Sequence, residues 1–319
     1  MNNHTIINAI HANNNADLTS DVFVPFETDT TTGYIPAHLH TFFLDTGDFE
    51  FDGKTLRFTA GLENKSGAMD KVRDLMIKKG AIKRKPSHYA DERLAVGNEN
   101  RLTSPEFTVD RAYYFASGFQ LDAVSVQMHG KINGEDKILL QRRGQGVIEP
   151  GTHDFAAGGA VKSPETNHLE AVANQISHEI GSPYANLSQH VKHVASVQLN
   201  RNIVLATPSN TDFIGREASR IPIYDITLPE NTLLEMLDKN GEEVDGFILA
   251  TPDEIIQYCL NGEIAPVMVQ SFMSALIATN LIPENSFSNE VQHVLTEKGG
   301  CVFKIGASQH NPSKKPSLL

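Results

Sequence analysis

The sequence contains no tryptophan, only two cysteines and no apolar run long enough to span a membrane. Two isolated thiols, Cys259 and Cys301, cannot build a disulfide framework or a cysteine zinc site, so we expect a reducing, cytoplasmic location. A membrane helix needs about 18 or more consecutive apolar residues, so we expect no membrane partner. Basic residues are also scarce, 27 against 39 acidic ones, and the net charge of -12 argues against a nucleic-acid polymer as partner.

Both ends of the chain are polar. Residues 1–20 are rich in Asn and His and contain no apolar core of signal-peptide length. Residues 306–319 carry serines, lysines and prolines. Such segments cannot bury enough apolar surface to offset the entropy of ordering. We therefore predict a disordered N-terminus over residues 1–20 and a disordered tail over residues 306–319.

The first part of the ordered chain mixes short strands with one helix. Residues 49–58 predict two strands around an Asp-Gly turn, and residues 65–79 have apolar side chains at helical spacing. A polar stretch at 97–108 favours a boundary near residue 110. We predict a small α+β domain over residues 21–110.

The second part alternates strands and helices. An Asn-Gly turn at 133–134 predicts a hairpin between strands at 123–129 and 137–141. Thr251 is a good helix cap, because Pro252 and Glu254 follow it at the required spacing. Strands flanked by helices favour an α/β sandwich with a mixed sheet over residues 111–305. The remaining predicted elements are a helix at 167–180, strands at 194–199, 203–206, 221–226 and 244–249, and an apolar helix at 266–280.

One segment of the second part carries residues suited to metal-assisted chemistry. A glycine pair, Gly158 and Gly159, is followed by Glu165 and then by a helix with polar residues near its end. Carboxylates three and four positions apart lie on one helix face and can share a metal ion. Such an ion neutralises a diphosphate and activates water. From Gly158 to Gly181 the segment resembles the Nudix box, which reads Gly, five residues, Glu, seven residues, then Arg-Glu-apolar-any-Glu-Glu-any-Gly.

Compared position by position, the resemblance is partial. Gly159 and Glu165 fit the opening half, and the closing half is displaced by a one-residue insertion. The expected arginine, which usually orients the first glutamate, is Asn174. The first expected metal-binding glutamate is Gln175. Of the final glutamate pair, only the second is retained, and the positions are His178 and Glu179.

The resemblance implies a site for Mg²⁺ or Mn²⁺ built from these residues. Mg²⁺ prefers hard oxygen ligands, and an imidazole suits Mn²⁺ better than Mg²⁺. The implied metal ligands are Glu165, Gln175, His178 and Glu179. The alternative interpretation is an amphipathic helix without a metal, whose apolar residues face the core.

A wider resemblance extends over residues 22–290. It points to a Nudix subfamily in which an N-terminal domain precedes the Nudix domain, and some fungal members are fused to thiamine pyrophosphokinase. The implied fold is a Nudix α/β/α sandwich with a mixed sheet, preceded by a small α+β N-terminal domain. The implied partner is a small anionic diphosphate ligand, either thiamine diphosphate-like or nucleoside diphosphate-linked. The resemblance rests on short pieces in matching order, among them 24–26, 33–35, 73–80, 91–96, 125–130, 224–225, 241–247 and 261–263.

Further site residues follow from this resemblance. Arg142 and Arg143 precede the box and are expected either to clamp phosphate oxygens or to be a surface pair. Gly158 and Gly159 are expected to contact the substrate. A loop carboxylate, Glu243, is expected either to assist Glu179 in catalysis or to belong to a solvated acidic turn.

Two functional hypotheses remain open on the sequence. The first is a Nudix-type hydrolase of a small organic diphosphate, with weak or altered activity because the box lacks its arginine and two glutamates. The second is a catalytically inactive ligand-binding protein with the same fold. The N-terminal domain is expected either to shape the pocket or to mediate formation of a homodimer.

Overall fold

The structure is a computed structural model that describes residues 4–14, 16, 18–19, 22–82, 92–111, 113–144, 149–205, 213–239, 244–282, 295 and 302–303. After a first helix, α1 (His4–Asn13), the N-terminal domain forms a four-stranded sheet in the order β2-β1-β4-β3. Its strands are β1 (Phe23–Glu27), β2 (Thr32–Pro36), β3 (Phe49–Phe51) and β4 (Leu56–Phe58). Its helices are a 3₁₀ turn (Ala37–Leu39), α2 (His40–Leu44) and α3 (Lys65–Lys78), and a two-stranded sheet pairs β5 (Arg93–Val96) with β6 (Phe107–Asp110).

A short helix, α4 (Tyr114–Ser117), leads into a large mixed sheet in the order β13-β8-β7-β12-β11-β14. Strands β9 and β10 pair with β8 and β7, and the β7–β12 pair is parallel whereas the other pairs are antiparallel. The strands are β7 (Gln120–Ile132), β8 (Glu135–Arg143), β9 (His153–Phe155), β10 (Ala157–Ala160), β11 (Lys192–Leu205), β12 (Phe213–Thr227), β13 (Val244–Ala250) and β14 (Val302–Phe303). The helices are α5 (His168–Glu179), a 3₁₀ helix (Ser182–Gln189), α6 (Glu230–Met236), α7 (Pro252–Asn261) and α8 (Pro266–Ala278).

Helices cover both faces of the large sheet. Residues such as Leu140, Val197 and Ile223 form one core with α1, α7 and α8. Their strand neighbours, such as Leu139 and Tyr224, form a second core with α5 and α6, because successive side chains on a strand point to opposite faces. The predicted α/β class, with a mixed sheet between helices and a smaller α+β domain before it, is confirmed. The domain boundary near residue 110 stays a prediction.

The prediction of a disordered N-terminus is wrong for residues 4–13. These residues form α1, and Ile6, Ile7 and Ile10 are buried in the core beside α8. The Asn13 side chain donates a hydrogen bond to the Pro266 carbonyl oxygen at 2.9 Å. The three isoleucines lie on one helix face, and burying that face provides the free energy that orders the segment. The predicted disordered tail at 306–319 lies outside the described residues.

In the part of the chain that the structure describes, no helix combines the length and apolar character that crossing a bilayer requires.

Candidate functional site

The box segment folds as a strand, a loop and a helix. Gly158 and Gly159 lie in β10, and residues 161–167, here called the box loop, connect it to α5. The Asn167 side chain caps α5 by accepting a hydrogen bond from the Glu170 backbone N–H. A Cβ at position 159 would lie 2.8 Å from the Gln175 side-chain amide, so a larger residue here would require the end of that side chain to move.

Glu165 is held in place by two donors. Its side chain accepts a hydrogen bond from the Lys162 backbone N–H at 2.5 Å and one from the Asn174 amide at 2.8 Å. Asn174 therefore makes the contact expected of the box arginine, but it supplies a neutral amide instead of a guanidinium. Glu165 is only 6% exposed.

Glu179 is buried at the sheet surface. Its Oε2 atom accepts a hydrogen bond from the Gln141 side-chain amide at 3.1 Å and one from the Gly158 backbone N–H at 3.2 Å. Gln141 lies in β8 and is itself buried. The one glutamate that the box helix retains thus ties α5 to β8 and β10.

The predicted metal ligands do not converge on one point. Gln175 is buried and donates to the Ala160 carbonyl oxygen at 3.4 Å, whereas His178 is exposed on the helix surface. Among the described residues, no group of three or more His, Cys, Asp or Glu side chains is placed to hold a metal ion. Glu165 and Glu179 are each engaged by N–H donors of the protein. This donor set does not fit Mg²⁺ or Mn²⁺, which need several convergent oxygen or nitrogen ligands.

The two arginines before the box point to opposite faces of the sheet. Arg143 pairs in register with Val244 and lies two residues from Gln141, and both of these partners belong to the α5 side. Arg142 is the exposed neighbour and points to the other face. Their predicted joint contact with one phosphate group stays a prediction. Arg143 forms an ion pair with the buried carboxylate of Asp154.

Asp154 is another buried acid on the α5 side of the sheet, because it pairs in register with Gln141. Burial raises the pKa of its carboxyl group, and the charge of Arg143 and a hydrogen bond from the Phe155 backbone N–H oppose that rise. Gln141, Arg143 and Asp154 thus form a largely buried polar surface on the α5 face of β8 and β9, and Glu179 of α5 contacts it through Gln141.

Glu243, the predicted catalytic loop carboxylate, lies outside the described residues. Its proposed role as a base therefore stays a prediction.

No protein-family model matches the chain, and no curated protein sequence matches it. Among solved structures, it is similar to the Nudix domain of Shewanella oneidensis NrtR complexed with ADP ribose, at 13% identity over 49% of this chain and 86% of that chain, with a TM-score of 0.33. It is similar to the Nudix hydrolase RenU from M. smegmatis at 18% identity, over 52% and 89% of the two chains, with a TM-score of 0.32. It is similar to the C. elegans Ap4A hydrolase at 11% identity, over 50% of this chain and 99% of that chain, with a TM-score of 0.27. Likeness at these values assigns neither an activity nor a ligand to this chain.

Proposed function

We propose that this chain is a Nudix-fold protein that binds a small anionic diphosphate ligand and has lost metal-dependent hydrolysis. The order of strand, glycine pair, loop and helix in the box segment supports the fold. The retained Asn174–Glu165 contact supports it as well, because the same two positions interact in the box that the sequence resembles.

The observation that carries the loss of hydrolysis is the environment of Glu179. This carboxylate accepts hydrogen bonds from Gln141 and Gly158, and the neighbouring positions 175 and 178 hold a neutral amide and an exposed imidazole. A hydrolytic Nudix helix needs several carboxylates around a divalent ion to neutralise the diphosphate. Here the local negative charge is too small, and its one remaining glutamate stabilises the fold.

The same surface supports anion binding. Arg143 lies on the α5 side of the sheet, half-buried, with its guanidinium oriented by Asp154. A guanidinium held in this way loses little conformational entropy when it contacts a phosphate oxygen. The resemblance to thiamine pyrophosphokinase-linked Nudix domains favours a thiamine diphosphate-like ligand, and a nucleoside diphosphate-linked compound is the alternative.

The test is calorimetry of the full chain with thiamine diphosphate, ADP-ribose and a nucleotide sugar, each with EDTA and with Mg²⁺. We expect one of these compounds to bind with the same affinity in both buffers, and no phosphate release. Arg143→Gln should weaken that binding, whereas Arg57→Gln, an exposed control in the N-terminal domain, should not. Failure of all three compounds to bind would contradict the binding half of the proposal.

Metal-dependent turnover by the unmodified protein would instead favour the hydrolase. A gain-of-function variant tests whether the altered box residues are the reason for the loss of hydrolysis. The triple substitution Asn174→Arg, Gln175→Glu and His178→Glu restores the expected box residues, and we expect it to create or raise Mg²⁺-dependent phosphate release. If the triple variant and the unmodified protein release phosphate equally fast, the altered box residues do not explain the loss.

A further inference from the structure

We propose that the N-terminal domain holds the box loop in its binding shape, with Glu92 and Arg93 as positioning residues. The ligand-binding part of this inference rests on the proposed function. The structural part does not, since it concerns only the mobility of residues 161–167.

The backbone of the box loop is hydrogen-bonded on two sides. The Val161 N–H donates to the Asp122 carbonyl oxygen in β7 at 2.9 Å. The Ser163 N–H donates to the Arg93 carbonyl oxygen at 2.8 Å, which makes a bridge to the N-terminal end of β5. The loop is therefore hydrogen-bonded both to the large sheet and to the N-terminal domain.

An ion pair reinforces the bridge from the N-terminal side. The Lys162 ammonium group lies 2.5 Å from Glu92 Oε1, and the Arg111 guanidinium lies 2.7 Å from Glu92 Oε2. Burial would raise the pKa of Glu92, but the hydrogen bonds from Lys162 and Arg111 hold it below its usual value. The charge-assisted pair is partly shielded from water, where such contacts are stronger than at a free surface.

A second contact reaches the start of α5. Arg101, in the turn before β6, has its Nε atom 3.0 Å from Asp122 Oδ2, and both side chains are almost completely buried. Asp122 Oδ1 lies 3.7 Å from the His168 Nε2 atom, in the first residue of α5. The N-terminal domain thus contacts the box loop near its middle, and through Asp122 it reaches the neighbourhood of the first residue of α5.

These contacts have a consequence for the site, because the loop also carries Glu165. The Lys162 backbone N–H that binds Glu165 belongs to the same residue whose side chain binds Glu92. Loss of the Lys162 side-chain contact removes one restraint on this residue, whose neighbours keep their backbone hydrogen bonds, and so loosens Glu165 and, through it, Asn174. The N-terminal domain therefore sets how well the box segment is pre-organised for a ligand.

Hydrogen exchange of the full chain, followed by mass spectrometry, tests the inference. We expect Lys162→Met and Glu92→Gln each to speed exchange of peptides covering residues 161–167 by roughly tenfold, the range of one charge-assisted hydrogen bond. The double variant should be no faster than the faster single variant, because both substitutions remove the same contact. Lys162→Arg should keep near-normal exchange. Lys131→Met, which removes an exposed ion pair in the β7–β8 hairpin, is the matched control and should leave the loop unchanged.

The binding readout uses inorganic pyrophosphate as the probe. We expect Lys162→Met to weaken pyrophosphate binding several-fold and to lower the thermal unfolding midpoint by no more than about 4 °C, since the Lys162 side chain is partly exposed. Unchanged loop exchange in the Lys162→Met variant would overturn the inference, and so would additive effects of the two substitutions. If the unmodified chain does not bind pyrophosphate, the proposed function loses support, while the exchange data still decide whether the N-terminal domain holds the loop.

Discussion

Replacing Glu179 distinguishes two possible roles of this residue, a hydrogen-bond acceptor that stabilises the fold and a ligand of a metal ion. In the structure this carboxylate satisfies the Gln141 amide and the Gly158 N–H. Glu179→Ala leaves both donors without that acceptor, and a stranded buried donor costs about 1–3 kcal/mol. Gln141 is 5% exposed and Gly158 is half-buried, so water can compensate only at the glycine. We expect a loss of about 2–4 kcal/mol in the free energy of unfolding, below the simple sum of the two costs.

Two variants calibrate this loss. Glu179→Gln keeps an acceptor oxygen and should cost about 1 kcal/mol, the difference between a charged and a neutral acceptor. His178→Ala removes the exposed neighbour on the same helix and should change stability by less than about 0.5 kcal/mol.

The assay is urea unfolding followed by far-UV circular dichroism, because the chain has no tryptophan to report by fluorescence. Each variant is measured with EDTA and with Mg²⁺, and Mg²⁺ should not shift the midpoint. A buried carboxylate reserved for a metal behaves in the opposite way, since its removal relieves an uncompensated charge in the metal-free protein. Equal or higher stability of Glu179→Ala in EDTA would therefore refute our interpretation.

Three further predictions concern the rest of the fold. Gly118→Ala should cost at least about 3 kcal/mol and prevent normal folding, because its Cβ would lie 1.9 Å from the Tyr34 carbonyl oxygen and the φ at this position is +65°. Gly134→Ala lies in an open turn with a φ of +85° and should cost only about 1 kcal/mol. Thermal unfolding of the two variants measures the difference. Asp122→Asn leaves two buried or half-buried arginines without their carboxylate and should cost about 3–5 kcal/mol at pH 7. Neighbouring charges and hydrogen bonds lower the pKa of Asp122 in the folded protein in spite of its burial. The stability that Asp122 contributes is therefore present above its usual pKa of 3.8 and is lost as the pH falls through the lower folded-state pKa. The unfolding curves of the wild type and the Asp122→Asn variant should converge in acid. Burial raises the pKa of the Cys259 thiol to about 12, so a variant in which this is the only cysteine should not react with a thiol reagent at pH 8 until it is denatured.

Local signals in the sequence located most of the secondary structure. The helix expected at 167–180 is α5, with Asn167 as its cap, and the cap expected at Thr251 forms a complete capping box with Glu254. The Asn-Gly turn at 133–134 joins β7 to β8 as predicted. These features depend on a few neighbouring residues, which is why a single sequence suffices to find them.

Contacts between distant residues were not predictable in the same way. Gln141 and Glu179 are 38 positions apart, and nothing near either residue specifies the other. One signal was available, because Gln141 directly follows the apolar run 138–140 in a strand that is buried on both faces, where a polar side chain needs a buried partner. Strand alternation also directs Arg142 and Arg143 to opposite faces of the sheet, because β8 extends to Arg143, two residues beyond the strand predicted at 137–141. The isoleucine spacing in α1 was a further signal, masked by the polar residues around it.

The position of α1 has a consequence for how the chain is made. The hydrogen bond between Asn13 and Pro266 joins residues 253 positions apart. At a synthesis rate of about 5–20 residues per second, the isoleucine face of α1 waits roughly 13–50 s before α8 exists to cover it. During that interval the nascent chain carries a helix with an uncovered apolar face. We expect this helix to be an early binding site for chaperones on the ribosome, and the C-terminal part of the protein to complete its core only after synthesis has passed α8.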